Sequence, residues 1–210
     1  MQRILKSSEC KLLGGLFSYC IQLFLGITAL SSLVYKRHIE RPQREWKIWA
    51  YDVGKQLIGG FFIHFANIFV SDLLKANGDE CAFYFLNFFI DCTFGIGIVY
   101  IVHDGICYII KTYWNSESIF SHIGEYGNPP KIKIWLLQIS LYLFALLINK
   151  TLISLIFYGF QNKMVSLGNW LFGPLQQYPN IELVIVMILC PWLLNTFQMW
   201  IFDYILKSKN

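Results

Sequence analysis

Charge is scarce in this sequence of 210 residues. Asp, Glu, Lys and Arg together make up 14% of it, whereas a typical soluble domain has about 25%. A nucleic-acid-binding protein needs a clustered basic surface, and a disordered chain needs low hydrophobicity. With a net charge of +4 and 56% hydrophobic residues, the sequence fits neither class, and we expect no nucleic-acid partner.

The sequence also lacks the common catalytic and metal-binding motifs. None of the 6 cysteines forms a CxxC pair, and the 4 histidines do not cluster at metal-ligand spacing. A Walker loop, an HExxH motif and the nucleophile turn of hydrolases are all missing. We therefore expect a protein that is not an enzyme and that holds neither a cofactor nor a metal ion.

Long apolar runs are what the sequence has instead. Mean hydropathy is +0.48, and a helix that crosses a membrane needs about 20 mostly apolar residues. The predicted fold class is all-α: a polytopic membrane helix bundle forming a single integral membrane domain over residues 1–210. The first run is too long for a signal-peptide core and is expected to be retained. The runs predict about five transmembrane helices, at residues 12–35, 56–74, 82–110, 134–158 and 183–206.

An amphipathic segment precedes the second predicted span. Trp46, Trp49 and Val53 recur at helical spacing, with Arg44 and Lys47 beside them. This pattern predicts an interfacial helix that lies among the lipid headgroups and then bends into the span. An aromatic belt with positive flanks explains the same residues, so both interpretations stay open.

The distribution of basic residues predicts the orientation of the chain. Five lie between the first and second predicted spans, three between the third and fourth, and two after the fifth, which makes ten; five lie on the other side. Cytosolic loops carry the excess of Lys and Arg, so the side with ten is predicted to be cytosolic, together with the C-terminus. Arg3, Lys6 and Lys11 oppose this orientation, and the N-terminus stays open as luminal or cytosolic.

Polar side chains inside the predicted spans are informative, since a charge at mid-membrane costs about 2.5–3.5 kcal/mol. The second span carries Asn67 and, near its middle, His64; the third carries Asn87 and Asp91. Such polar faces must meet other helices. We expect His64 and Asp91 to lie at the same depth and to meet, with a neighbouring asparagine as a candidate link. The pair is interpreted either as a proton or ion relay or as a structural hydrogen-bond clamp.

Two further polar residues complete this predicted intramembrane cluster. Lys150 in the fourth span either pairs with a carboxylate or extends its amine to the interface, and we expect the second arrangement. Asn195 in the fifth span follows Pro191 by one turn, which predicts a kink stabilised by polar groups. Asp203, near the cytosolic end of that span, is expected to be solvated.

A turn-rich loop precedes the fourth predicted span. Its glycines allow unusual backbone angles and its prolines end the turn. The loop is a candidate cytosolic interaction site, and a compact turn is the alternative. The residues concerned are Gly124, Glu125, Tyr126, Gly127 and Pro129.

Five local patterns are spread along the chain in a regular order. They are Lys55-Gln56 with Gly59 and Ile63-His64-Phe65-Ala66-Asn67; Tyr84-Phe85-Leu86-Asn87-Phe88 with Asp91, Thr93 and Gly95; Gly124-Glu125-Tyr126-Gly127 with Pro129; Trp135, Gln138, Tyr142 and Lys150; and Met187, Pro191, Asn195, Trp200 and Asp203. In order and spacing these patterns resemble the STIMATE family. That family joins an animal endoplasmic-reticulum protein to fungal proteins described as vacuolar membrane proteins.

The resemblance implies a multi-span endomembrane protein, in the endoplasmic reticulum or, as the alternative, in the vacuolar membrane. The animal member promotes store-operated calcium entry at contacts with the plasma membrane, where it binds the stromal interaction molecule, a calcium sensor. A membrane-protein partner of this type is therefore implied here, besides membrane lipids. The animal protein carries a long charged cytosolic tail, whereas this sequence stops at Asn210, so functions that need the tail are not implied.

Three functional hypotheses follow. The first is a non-enzymatic regulator or scaffold of calcium signalling at contacts between the endoplasmic reticulum and the plasma membrane. The second is a small proton-coupled transporter or channel that uses His64 and Asp91. The third is a lipid-binding protein that uses aromatic-rich grooves between its helices.

Overall fold

The computed structural model describes residues 16–73, 80–113, 124–175 and 178–208, and every regular element in these ranges is helical. A 3₁₀ turn at Gly173–Leu175 follows α6, and a π-helical segment at Ile185–Leu189 joins α7 to α8. The helices are α1 (Leu16–Ile39), α2 (Trp46–Leu73), α3 (Glu80–Cys92), α4 (Phe94–Tyr113), α5 (Ile132–Gly159), α6 (Gln161–Phe172), α7 (Pro179–Val184) and α8 (Cys190–Leu206).

Three of these helical stretches are long and apolar enough to cross a membrane. They are Phe85–Tyr113, Ile132–Gly159 and Ile185–Leu206. The predicted all-α membrane bundle is therefore confirmed, whereas the predicted count of about five spans is not. The first stretch combines α3 and α4, which meet at a turn on Thr93, and the predicted 82–110 span falls on both helices.

Large apolar side chains cover the outside of the helices. Phe61, Phe65 and Phe69 on α2 are all about two-thirds exposed, and Leu155 on α5 is 62% exposed. In water such a surface would be costly, but in a bilayer hydrocarbon tails cover it. The outward-facing apolar residues thus fit a bundle surrounded by lipid.

The centre of the bundle is α5, which packs against α2, α3, α4 and α6. Tyr142, Ala145 and Leu146 on its inner face are buried together with apolar residues of α4 and α8. Two turns further, Ile153 and Phe157 pack with Leu86 of α3 in a second apolar cluster. Every span therefore reaches the core by contact with one central helix.

Two glycines allow α5 to approach its neighbours closely. A Cβ atom at Gly59 of α2 would lie 2.4 Å from the ring of Tyr142, so no larger residue fits without a shift. A Cβ atom at Gly95 of α4 would lie 3.2 Å from the side chain of Asn149. Small residues at helix contacts are the usual means by which membrane helices pack, and both glycines lie on the polar faces identified in the sequence.

The predicted amphipathic segment forms the first turns of α2, which continues without interruption from Trp46 to Leu73. Trp46 is exposed, and the guanidinium of Arg37 lies 3.7 Å from its ring centroid. The segment is thus held to the end of α1 by a cation–π contact.

Three chain segments meet at one end of the bundle: the α1–α2 connection, the described part of the α4–α5 connection (residues 124–131) and the end of α8. Ser208 donates a hydrogen bond from its hydroxyl to the carbonyl of Gly124 at 3.3 Å, and Lys207 pairs with Glu40. The charge count placed the same three segments on one side of the membrane, and the structure brings them into contact.

Candidate functional site

A buried charge network joins these three segments, and Arg44 lies at its centre. Its Nη1 donates to Asp52 at 3.0 Å, its two terminal nitrogens bind both carboxylate oxygens of Asp203 at 3.0 and 2.9 Å, and its Nε donates to Glu40 at 2.8 Å. Arg44 is only 6% exposed. Because a guanidinium presents its donors in a planar fork, it can hold three carboxylates at once.

Lys55 extends the network into the interior of the bundle. Its amine lies 3.2 Å from Asp52 and donates to the side chain of Gln138 at 2.9 Å and to the carbonyl of Leu206 at 2.6 Å. The hydroxyl of Tyr126 donates at 2.6 Å to Asp52 Oδ1, the same oxygen that the Lys55 amine approaches. One lysine and one aspartate therefore connect α2 with α5, α8 and the loop before α5.

Burial and pairing shift the pKa values of the groups at this end. Burial alone would lower the pKa of Arg44, but the hydrogen bonds and charges of its carboxylate partners raise it overall. Burial would raise the pKa of Glu40, but hydrogen bonds from Lys207 and Arg44 lower it overall. Burial, together with the nearby charge of Asp52, raises the pKa of Tyr126. Arg44 and Glu40 therefore stay charged, and Tyr126 stays protonated.

The loop predicted as an interaction site contributes to this network through Tyr126, which is fully buried. Gly124 and Gly127 have φ values of 99° and 77°, a backbone conformation that glycine adopts without strain. Glu125 and Pro129 are exposed. Tyr126 and the two glycines thus form a compact turn, as in the alternative prediction for this loop. Of the five loop residues, only the exposed Glu125 and Pro129 remain available to a partner.

The expectation that Asp203 is solvated is wrong, since it is 1% exposed. Besides Arg44, the amine of Lys36 lies 2.9 Å from it. Sequence reasoning placed Arg44 and Lys36 in a basic loop and did not connect them with an acid 159 residues away. The available signal was the i,i+3 pair of Asp52 and Lys55 in a largely apolar helix, since buried charges are tolerated only when they are paired.

A second charged pair lies inside the membrane-spanning part. The amine of Lys150 on α5 lies 2.6 Å from Asp91 on α3 and 3.5 Å from the side-chain oxygen of Asn87. Lys150 is only 3% exposed. The expectation that it extends to the interface is therefore wrong, and the alternative of pairing with a carboxylate is the arrangement observed.

His64 takes no part in this pair. Within the described ranges, no hydrogen bond or ion pair joins His64 to Asp91, and the imidazole instead lies edge-on to Phe65, with centroids 6.0 Å apart. His64 is exposed on the flank of α2. The expected contact of His64 with Asp91 is thus not formed as a hydrogen bond or ion pair, and Lys150 binds one oxygen of the carboxylate instead.

A cavity of about 350 Å³ lies between α1, α2, α3 and α8, with two residues of α5 at its base. The predicted intramembrane polar cluster is divided by this cavity into residues that line it and residues that do not. His64, Asn67, Asp91 and Asn195 all line the cavity, whereas Asn87 and Lys150 lie outside it.

Some polar groups of the cavity wall are paired and some are not. Cys92 lies with its sulfur 3.4 Å from the side-chain oxygen of Gln198. Gln56, with its amide oriented to suit its neighbours, donates to the carbonyl of Met199 at 3.1 Å and accepts from the Asp203 N–H at 3.2 Å. Within the part of the chain described, one side-chain oxygen of Asn67 and one of Asp91 are buried without a hydrogen-bond partner.

Comparison with known proteins places these features in a family. The model of the STIMATE family matches residues 81–208. The chain belongs to the STIMATE family. The match includes Asp91, Lys150 and Asp203, while Arg44 and Asp52 precede it.

A curated relative extends the similarity over nearly the whole chain. The chain is 31% identical to Vacuolar membrane protein YPL162C of Saccharomyces cerevisiae over 220 aligned positions, which cover 96% of this chain and 80% of the yeast protein. No solved structure matches. Together with the membrane-spanning helices, these matches identify this STIMATE-family member as an integral endomembrane protein.

Proposed function

We propose that this protein is a non-enzymatic regulator that presents a rigid cytosolic face to a membrane-protein partner in calcium signalling. The observation that carries the proposal is the buried charge network, which locks the α1–α2 connection, the α4–α5 connection and the end of α8 into one surface. A pre-organised surface loses little conformational entropy when a partner binds.

The exposed residues of that surface are the proposed contact points. Glu125 and Pro129 are exposed around the buried Tyr126. The carbonyl of Glu125 accepts a hydrogen bond from Gln138 at 3.1 Å, which fixes the loop backbone on α5. The loop therefore offers side chains to a partner while its backbone is held by the bundle.

The calcium role and the partner come from the family resemblance. The animal member acts on a calcium sensor of the stromal interaction type, and a sensor of that kind is the partner we propose. We propose the endoplasmic reticulum, at contacts with the plasma membrane, as the location. The printed name of the yeast relative describes that protein as vacuolar, so the vacuolar membrane is the alternative.

Deletion of the protein tests the calcium role. We expect reduced cytosolic calcium entry after store depletion and recovery when the wild-type chain is returned. The charge reversal Glu125→Arg should restore entry poorly although the protein is present at the normal level. The control Lys163→Glu, at an exposed lysine of α6 at the far end of α5, should restore it fully. Normal entry in the deletion strain would refute the calcium role.

Proximity labelling in the same cells tests the partner and the location. We expect a membrane protein to be labelled by the wild-type chain and by Lys163→Glu, and less by Glu125→Arg. Labelled neighbours resident in the endoplasmic reticulum support the proposed location, and vacuolar neighbours support the alternative. An identical set of neighbours for Glu125→Arg would contradict a contact through the loop.

A further inference from the structure

The cavity between α1, α2, α3 and α8 is lined mainly by apolar side chains, with several amides, an imidazole and one carboxylate among them. Leu25, Ile63 and Phe88 are among its apolar lining residues, while Asn67 and Asp91 supply polar atoms. Filling the cavity with water alone would be unfavourable in free energy, because its apolar side chains would then be hydrated. The combination of apolar walls with a few polar groups is typical of small-molecule sites.

The polar lining residues include unused hydrogen-bond acceptors. Asn67 Oδ1 and Asp91 Oδ1 have no partner among the described residues. Buried oxygens are nearly always hydrogen-bonded in native proteins, and one left without a donor costs about 1–3 kcal/mol. Both oxygens are buried and both residues line the cavity, so a donor bound there is a candidate partner for them.

The electrostatics of the cavity select a neutral donor. The charge of Asp91 is already balanced by Lys150, whose amine binds its other oxygen at 2.6 Å. An additional full charge would have to be buried without a counter-ion, which is unfavourable in a low-dielectric site. The group that fits is therefore an uncharged hydrogen-bond donor, such as a hydroxyl group.

The cavity is accessible from the side of the bundle. Gln22 and Gly26 on α1 and Gly60 and His64 on α2 all line it and are all exposed. An opening between two helices at the side of a membrane-embedded bundle admits molecules from the surrounding bilayer. Its volume of about 350 Å³ lies at the lower end of the range for ligand sites, about 300–1,000 Å³, so it suits a compact apolar body.

We propose that this cavity binds a neutral membrane lipid whose polar head is a hydroxyl group. The hydroxyl donates its hydrogen bond to Asn67 Oδ1 or Asp91 Oδ1, and the hydrocarbon body lies against the apolar walls. The proposal is independent of the calcium role, because it rests on the cavity alone. Sterols, diacylglycerols and ceramides share this chemistry.

Photo-crosslinking of the purified full chain in phosphatidylcholine nanodiscs tests the site. Photoactivatable sterol, diacylglycerol and ceramide probes are each added, with a phosphatidylcholine probe as the control that lacks a hydroxyl. We expect at least one hydroxyl probe to label peptides of α1 or α2, and the probe that does so identifies the lipid.

Competition with unlabelled lipid tests the role of the hydroxyl group. The natural lipid that corresponds to the labelling probe should compete about tenfold better than its O-methyl ether, since the ether cannot donate a hydrogen bond. Equal competition by the ether, or labelling by the phosphatidylcholine probe alone, would overturn the proposal.

A matched pair of substitutions locates the lipid. A Cβ atom at Gly60 meets nothing within 4 Å, and Gly60 lines the cavity, so Gly60→Leu places a large side chain at the cavity wall. Gly97 on α4 is also exposed and also has nothing within 4 Å, but it does not line the cavity. We expect Gly60→Leu to reduce labelling about tenfold and Gly97→Leu to leave it unchanged, with the two variants equally stable to heat. Wild-type labelling of Gly60→Leu would place the lipid elsewhere and refute the proposal.

Discussion

Asp91 and Lys150 are charged groups buried among apolar helices, and each is tolerated because of the other. Removing a charge from water is costly, and the attraction between close partners returns that cost only when the geometry is good. The 2.6 Å contact between the two side chains meets this condition. Neither residue can be replaced alone without leaving the other unpaired.

The substitution Lys150→Met should destabilise the protein strongly. Loss of one partner from a buried pair typically costs about 3–5 kcal/mol, whereas replacing both by apolar residues is often neutral. We therefore expect a large fall in the free energy of unfolding for Lys150→Met and recovery of most of it in the double variant Asp91→Leu/Lys150→Met. Denaturation of the protein in mixed detergent micelles measures both. The exposed Lys163→Met on α6 is the control, and additive losses in the double variant would show that the pair is not coupled.

Glu40 predicts a dependence of stability on pH. Its pKa in the folded state lies below the ordinary value of 4.5, because Lys207 and Arg44 hold it ionised against the effect of burial. A carboxyl group with a lowered pKa stabilises the folded state above its unfolded pKa, and this stabilisation is lost as the pH falls through the folded pKa. Below pH 4.5 the wild-type chain should therefore lose stability faster than Glu40→Gln.

Thermal unfolding over this range of pH checks the assignment to Glu40. The variant Glu45→Gln is the control, since Glu45 is an exposed carboxylate in the same connection. It should follow the wild-type curve. A Glu40→Gln curve parallel to that of the wild type would show that this carboxyl group does not contribute.

At the scale of helices, the contact between α2 and α5 depends on one glycine. The ring of Tyr142 would lie 2.4 Å from a Cβ atom at Gly59, and this tyrosine is only 1% exposed. Gly59→Ala should therefore push the helices apart, at a cost of about 1–3 kcal/mol. The neighbouring Gly60→Ala meets nothing within 4 Å and should be neutral or stabilising, since alanine favours helix by about 0.5–1 kcal/mol.

Melting temperatures of the two alanine variants in detergent distinguish these cases. We expect the temperature to fall for Gly59→Ala and to stay level or rise for Gly60→Ala. Equal changes in both would mean that helix propensity, and not close packing, decides the role of Gly59.

The last span is irregular where the sequence contains Pro191. The N–H of Cys190 bonds to the carbonyl of Ile185, five residues earlier, within the π-helical segment Ile185–Leu189. A π-helical turn widens the helix locally and often lies at a functional site. Met187 from this segment and Pro191 after it both line the cavity, so the irregularity shapes one of its walls.

At the scale of the molecule, the charge network predicts which segments share one side of the membrane. Glu45, before α2, and Glu125, before α5, are exposed at the end that Arg44 and Tyr126 hold together, whereas Asn162 lies at the far end of α5. Cysteines introduced at the first two positions should react with an impermeant maleimide from the cytosolic side. A cysteine at Asn162 should react only after the vesicles are opened.

Sealed vesicles that expose their cytosolic face are the material for this labelling. The unsubstituted chain gives the background from its own cysteines, above which each variant is measured. Reaction of all three variants from the same side would contradict both the positive-inside orientation and the observed end-to-end arrangement of α5.

Most of what could be predicted from the sequence depends on local composition. Apolar runs predicted the helices, and polar residues within those runs predicted faces that meet other helices, because both features can be recognised within a few turns of one helix. The pairing of Asp203 with Arg44 could not be predicted, since these residues are 159 positions apart. The same holds for the choice of Lys150 over His64 as the partner of Asp91.

The sequence by itself determined the solvent and the class of fold. With 14% charged residues and long apolar runs, the chain must place its backbone in helices, because a bilayer offers no other hydrogen-bond partners. Only the tertiary structure decided which polar groups are paired and which are not. The packing of α2, α3 and α4 against α5, and of α8 against α1 and α2, sets how these helices lie, and it brings Asp91 to Lys150 and Arg44 to Asp203. The same packing leaves two oxygens in a cavity wall without a protein partner.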